Sequence, residues 1–105
     1  MVEFGTFYRD AVRLLGEKAY STFMVSLAHH PESGDVMEGT GGFRKIRVAI
    51  PGKGKSGGAR VIYFYACGDT VFLYAIYAKN ELATLSAAQK NALRAAATLL
   101  KEARQ

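Results

Sequence analysis

Apolar residues recur at helical spacing through the first third of the chain. Residues 6–15 carry a stripe of Phe7, Ala11, Leu14 and Leu15. Residues 17–30 carry a second stripe of Tyr20, Phe23, Met24 and Leu27. Each spacing predicts an amphipathic helix, and Pro31 and Gly34 end the second one. The apolar residues 2–4 in front of them predict a short strand.

The pattern changes to alternation in the middle of the chain. In FRKIRVAI, residues 43–50, apolar positions face one way and Lys45 and Arg47 face the other, which predicts a half-exposed strand. The next two runs, ARVIYFYAC and TVFLYAIYAK, are apolar on both faces and rich in aromatic and β-branched residues. Gly68 and Asp69 between them suit a hairpin turn. We therefore predict a central antiparallel hairpin.

The last element opens at LSAAQ, where Ser86 and Gln89 have the spacing of a capping box. An Ala/Leu-rich helix should run from there to about Arg104. The element order β-α-α-β-β-β-α predicts a single compact α+β domain over residues 1–105.

The composition suits a small globular protein, with 105 residues of which 50% are hydrophobic. Its apolar runs are shorter than the roughly 20 residues of a membrane span, and its first residues lack the order of a secretory signal, so we expect a cytoplasmic protein. The one cysteine, Cys67, lies in an apolar run and is expected to be inert.

Positive charge is concentrated in one segment. Residues 39–68 contain six basic residues and no acidic one, whereas the rest of the chain has eight basic and nine acidic residues. Such a segment either binds a polyanion or solvates an exposed sheet face. A second basic stripe is predicted beside the apolar face of the last helix, formed by Lys90, Arg94, Lys101 and Arg104.

The loop PGKGKSGG presents Lys53 and Lys55 between two strands. It resembles a phosphate-binding loop of nucleotide hydrolases, but Ala49 replaces the first glycine and a strand rather than a helix follows. Four glycines and a proline instead predict a mobile loop that suits gripping an extended backbone.

The chain offers no Ser-His-Asp or Cys-His arrangement and no pair of strand carboxylates. The adjacent His29 and His30 point about 100° apart on a helix and lack further ligands, so neither a metal nor a cofactor is expected. Any catalysis must use Lys and Arg. Such groups suit RNA strand cleavage, in which a 2′-hydroxyl attacks the adjacent phosphate and negative charge develops.

Three motifs in order resemble the RelE superfamily, specifically its HigB-like members: T-G-G-x-R-K-x-R, G-K-G-K-S-G-G-x-R-V-I-Y and Y-A-K-N-E. The resemblance covers roughly residues 17–100. It implies a curved antiparallel sheet packed against two N-terminal helices, with a C-terminal helix. It also implies a toxin of a bacterial type II toxin–antitoxin pair that cuts mRNA in the ribosomal A site and blocks translation.

The resemblance also implies site residues. Lys45 and Arg47 match two basic residues before the loop, and Arg60 matches an arginine for which we expect a contact with the scissile phosphate. A basic residue after the last strand is matched by Lys79 or Asn80, of which we favour Lys79. The expected catalytic residues are therefore Lys45, Arg47, Arg60 and Lys79. Lys45 is a candidate base if it is desolvated. The family places a Tyr or His near the C-terminus, but Tyr77 is the last aromatic residue here. RNA or ribosome contacts are expected from Arg44, Lys53, Lys55, Tyr77, Asn80, Arg94 and Lys101.

Two alternatives stay open: a DNA gyrase inhibitor resembling the ParE toxins, and a noncatalytic RNA-binding module. The expected partners are the ribosome with its mRNA and a cognate antitoxin that carries a DNA-binding domain. The antitoxin should bind over the Lys45, Arg47 and Arg60 surface or, as the favoured alternative, along the Leu93 and Leu100 face of the last helix.

Overall fold

A computed structural model describes residues 1–53, 57–66, 68, 70–79 and 85–103. It contains one five-stranded sheet with a helix on each face. The elements are β1 (Val2–Glu3), α1 (Phe7–His29), β2 (Asp35–Val36), β3 (Phe43–Val48), β4 (Ala59–Ala66), β5 (Thr70–Ala78) and α2 (Ala87–Ala103). The strands lie in the order β1-β5-β4-β3-β2. The α+β prediction is therefore confirmed.

The two helices expected near the N-terminus form one element, α1, that is broken at Gly16. This residue has φ 80° and ψ 160°, which are not helical values, while the residues on both sides are helical. Glycine adopts a positive φ without the steric cost that a Cβ would bring. A single such residue changes the direction of the chain but leaves no connecting loop, so α1 consists of two arms.

The strands β3, β4 and β5 form the antiparallel centre that the sequence predicted. The sheet as a whole is mixed, because β1 runs parallel to β5. The short β2 was not predicted, since two residues are too few to show an alternation. It pairs only with Lys45 and Arg44 of β3. Of the hairpin turn between β4 and β5, residues 67 and 69, and with them Cys67, lie outside the described residues.

Each face of the sheet has its own apolar core. On one face, the α1 side chains Phe7, Ala11 and Phe23 pack on a buried set from β4 and β5: Val61, Tyr63, Leu73 and Ile76. On the other face, Leu93 and Ala97 of α2 pack against Phe43, Ile62 and Phe64. Because both faces of β4 are covered, this strand is apolar on both faces from Val61 to Ala66, and Arg60 near its start is its one charged residue.

The turn before β3 packs against α2. Thr40 is fully buried, and its hydroxyl donates to the Met37 carbonyl oxygen at 2.7 Å. Gly41 has φ +76°, and a Cβ placed on it would lie 3.0 Å from the Cβ of Ala97. The helix itself begins at the predicted capping box, because the Ser86 and Gln89 backbone amides donate to each other's side chains at 2.8 and 3.1 Å. The T-G-G motif thus lets α2 approach the sheet closely.

Candidate active site

Three predicted site residues lie in one row across the central strands. Arg47 of β3 is directly opposite Arg60 of β4, and Arg60 is directly opposite Tyr77 of β5. Directly paired residues point to the same face of a sheet, and here that is the face covered by α2. Two arginines in register repel each other, so this arrangement costs stability and favours the binding of an anion.

The position of Tyr77 depends on an irregularity in β5. The pairing of Ile62 with Ala75 is followed by that of Tyr63 with Leu73, so Tyr74 is an extra residue, a β-bulge. Strict alternation from Leu73 would turn Tyr77 toward α1. The bulge shifts the alternation by one residue and turns Tyr77 toward Arg60.

Lys45 lies on the same face as Arg47, two residues earlier in β3, as the alternation predicted. Together with Tyr77 it lines a cavity of about 270 Å³ between the sheet and the start of α2. The remaining lining residues are Asp35, Val36, Met37, Glu38, Leu85 and Lys90. The structure therefore brings Lys45, Arg47, Arg60 and Tyr77 together; we call these four residues the basic row.

The cations of the basic row are available to a ligand. Lys45 and Arg47 are exposed and Arg60 is half-buried. In the described part of the chain, no acidic side chain forms an ion pair with any of these three residues. Positive charges without an acidic partner attract a polyanion more strongly than paired ones.

Tyr77 has a perturbed phenol. Partial burial raises its pKa above the usual value of 10, and the positive charge of Arg60 offsets part of this increase. Burial acts in this direction because it disfavours the charged phenolate. The Tyr77 hydroxyl is therefore protonated at neutral pH and can donate a hydrogen bond or a proton.

Two carboxylates in this cavity were not predicted as site residues, because the residues around them show no clear alternation. Asp35 is directly opposite Lys45 in the β2–β3 pairing, and Glu38 follows shortly after β2. The only signal in the sequence was the acidic pair in DVMEG directly before the basic segment. These groups add possible proton acceptors to a site that otherwise consists of cations.

Arg44 does not belong to the basic row. Its Nη1 donates to the backbone carbonyl oxygens of Glu32 at 3.1 Å and Gly34 at 2.8 Å. These bonds hold the connection between α1 and β2, so Arg44 has a structural role whether or not it also touches RNA.

The other predicted cations lie elsewhere. Lys53 and Lys79 line a separate groove on the α1 face. Arg94 and Lys101 are exposed on α2, whereas Lys90 reaches the cavity. Lys55, Asn80 and Arg104 are outside the residues that the structure describes.

The residues that the structure describes contain no group of three or more His, Cys, Asp or Glu side chains arranged to hold a metal ion. Among them, no helix combines the length and apolar character that crossing a membrane requires.

Comparison with known families adds one finding. A family model described as the RelE toxin of the RelE/RelB toxin–antitoxin system matches residues 24–105. The match begins in the second arm of α1 and includes all of β2 to β5, the basic row and α2.

Proposed function

This chain belongs to the RelE toxin family, and we propose that it is a ribosome-dependent endoribonuclease that cuts mRNA and so blocks translation. The observation that carries this proposal is the basic row. Three cations, for which the described residues provide no acidic ion-pair partner, lie on one face beside a protonated phenol. RNA cleavage needs cations where charge develops and a proton donor for the leaving oxygen.

The reaction assigns a role to each group. The ribose 2′-hydroxyl loses its proton to a base and attacks the adjacent phosphorus. The bond from phosphorus to the 5′-oxygen breaks, leaving a 2′,3′-cyclic phosphate. Arg60 and Arg47 stabilise the charge on the phosphate oxygens, and Tyr77 protonates the departing 5′-oxygen. No metal or cofactor takes part.

The base is Lys45 or one of the two neighbouring carboxylates. Lys45 is exposed, so the protein alone does not desolvate it, and bound RNA would have to do so. Asp35 and Glu38 are the two other candidates, because they line the same cavity as Lys45.

To test this proposal, the purified protein is incubated with translating ribosomes and new mRNA ends are mapped. Ends within codons, present only when ribosomes translate, support the proposal. Gyrase-linked DNA damage would indicate the function of the ParE toxins instead. Binding to RNA without new ends would indicate a noncatalytic module.

We predict that the strand cations and the loop cation act on different steps. Lys45→Gln and Arg47→Gln, each alone, should lower the cleavage rate at saturating mRNA-loaded ribosomes about 10- to 100-fold, the equivalent of about 1.5–3 kcal/mol for a hydrogen bond to a charged group. Lys53→Gln, which also removes one exposed positive charge, should mainly raise the ribosome concentration needed for half-maximal rate. Equal effects on the saturated rate would contradict this division.

Membership of the family implies a cognate antitoxin. We propose that it carries a DNA-binding domain and binds this chain through an acidic surface. The α2 face favoured from the sequence is already occupied, because Leu93 is buried and Leu100 half-buried against the sheet. Covering the basic row therefore becomes the better hypothesis, and α2 would have to leave the sheet before its apolar face could bind a partner.

A charge-reversal titration tests where the antitoxin binds. Arg47→Glu should weaken the affinity for the antitoxin about 30-fold or more, as the loss of a buried interfacial charge pair costs at least about 2 kcal/mol. Arg94→Glu combined with Lys101→Glu should change it far less, since both residues are exposed and neither lines the cavity beside the basic row. The reverse order of effects would place the antitoxin on α2.

A further inference from the structure

A second groove opens at the end of the sheet, on the face opposite the basic row. It has a volume of about 530 Å³ and is lined by Arg13, Leu14, Ile50, Lys53, Gly57, Ala78 and Lys79. The volume is within the range of about 300–1,000 Å³ that ligand sites usually span. Its lining comes from α1, from the segment after β3 and from the end of β5.

The lining combines cations with an apolar floor. Arg13, Lys53 and Lys79 are all exposed, and no acidic side chain is among the described residues that line the groove. Arg13 contacts Asp10 in an exposed ion pair at 3.8 Å. Such a pair is weak and does not prevent an arginine from also binding a phosphate. Leu14, Ile50 and Ala78 supply the apolar surface.

The groove adjoins the basic row at the end of the β4–β5 ladder. The Lys79 amide donates to the Gly58 carbonyl oxygen at 3.1 Å, one residue beyond the pairing of Ala59 with Ala78. Lys79 is thus two residues from Tyr77, or about 7 Å along the strand. This distance is short enough for Tyr77 and Lys79 to contact neighbouring nucleotides of one single strand.

We propose that this groove is a second binding site for the nucleic-acid backbone. Arg13, Lys53 and Lys79 bind phosphates of a strand that passes around the end of the sheet from the basic row, and the apolar floor contacts a ribose or a base. Lys79 then acts in binding rather than in the chemical step. This inference rests on the proposed function, since it assumes that RNA binds at the basic row. It also adds Arg13 as an RNA contact that the sequence did not indicate.

The test measures binding, using Arg13→Gln and Lys79→Gln as separate variants. One ligand is a single-stranded RNA oligonucleotide with 2′-O-methyl groups, which the protein cannot cleave, and the other is ribosomes without mRNA. Arg9→Gln is the matched control, because Arg9 is on the same helix, contacts the same Asp10 and does not line the groove. Circular dichroism establishes that each variant folds, and if one fails to fold the other decides.

Each groove variant should reduce the slope of log affinity against log salt by about 0.7, the value for one lost phosphate contact on a single strand. Between 50 and 200 mM salt, the wild type should then lose about 2.6-fold more affinity than the variant. An effect on the oligonucleotide assigns the groove to mRNA, and an effect on ribosomes alone assigns it to ribosomal RNA. Slopes equal to that of Arg9→Gln with both ligands overturn the inference.

This outcome is distinguishable from failure of the proposed function. If the wild type cuts mRNA on ribosomes but the groove variants bind both ligands normally, only the second site is wrong. If the wild type neither cuts nor binds RNA, the proposed function and the second site fail together.

Discussion

Replacing Arg60 with glutamine should reduce mRNA cleavage on ribosomes about 100- to 1,000-fold, because one positioned donor to developing charge is worth about 2.7–4 kcal/mol of barrier. Arg60 is the central member of the basic row, directly between Arg47 and Tyr77. It is also half-buried, so its guanidinium is less free to move than that of an exposed arginine. Single-turnover cleavage with saturating ribosomes measures the effect.

The same substitution should leave the fold intact. Removing one of two arginines in register relieves repulsion, so the free energy of unfolding should stay the same or rise slightly. Arg60→Lys is the informative second variant, because lysine keeps the charge but loses the planar, bidentate donor geometry. We expect it to recover only part of the activity. A folded Arg60→Gln variant that still arrests growth fully would show that Arg60 is not catalytic.

Replacing Gly41 with alanine should release α2 from the sheet, at a cost of about 2–5 kcal/mol of folding free energy. At a positive φ, a residue with a Cβ lowers the free energy of unfolding by about 1–2 kcal/mol relative to glycine. Crowding in a packed interface typically lowers it by about 1–3 kcal/mol more. The second term arises because the new Cβ would lie 3.0 Å from that of Ala97. Hydrogen exchange should show faster exchange of the α2 amides while β3 to β5 stay protected.

Two control variants separate backbone strain at a positive φ from crowding against Ala97. Gly52 has a similar φ of +82°, but no atom of the described residues lies within 4 Å of an added Cβ, so Gly52→Ala should leave the protection of α2 unchanged. Adding Ala97→Gly to Gly41→Ala removes the crowded atom and should restore part of the protection. If the two single glycine variants leave α2 equally protected, close packing at Gly41 does not hold the helix.

The local elements were predictable because they depend on neighbours in sequence. Alternation placed Lys45 and Arg47 on one face, and Ser86 and Gln89 marked the start of α2 by their spacing alone. The strand β2 was not predicted, because two residues are too few to show an alternation of apolar and polar positions. The orientation of β1 also could not be read, since parallel and antiparallel pairing place the same residues in a strand.

The sequence by itself determined the α+β class, the central hairpin and a strand with a basic face, because hydrophobic periodicity and capping act over a few residues. Only the tertiary structure decided which groups meet. Strand register aligned Arg47, Arg60 and Tyr77, and the bulge at Tyr74 turned Tyr77 toward them. The packing of α2 on the sheet buried the apolar face that had suggested a partner site. Register, bulges and helix docking depend on the fit of side chains distant in sequence, which no local pattern encodes.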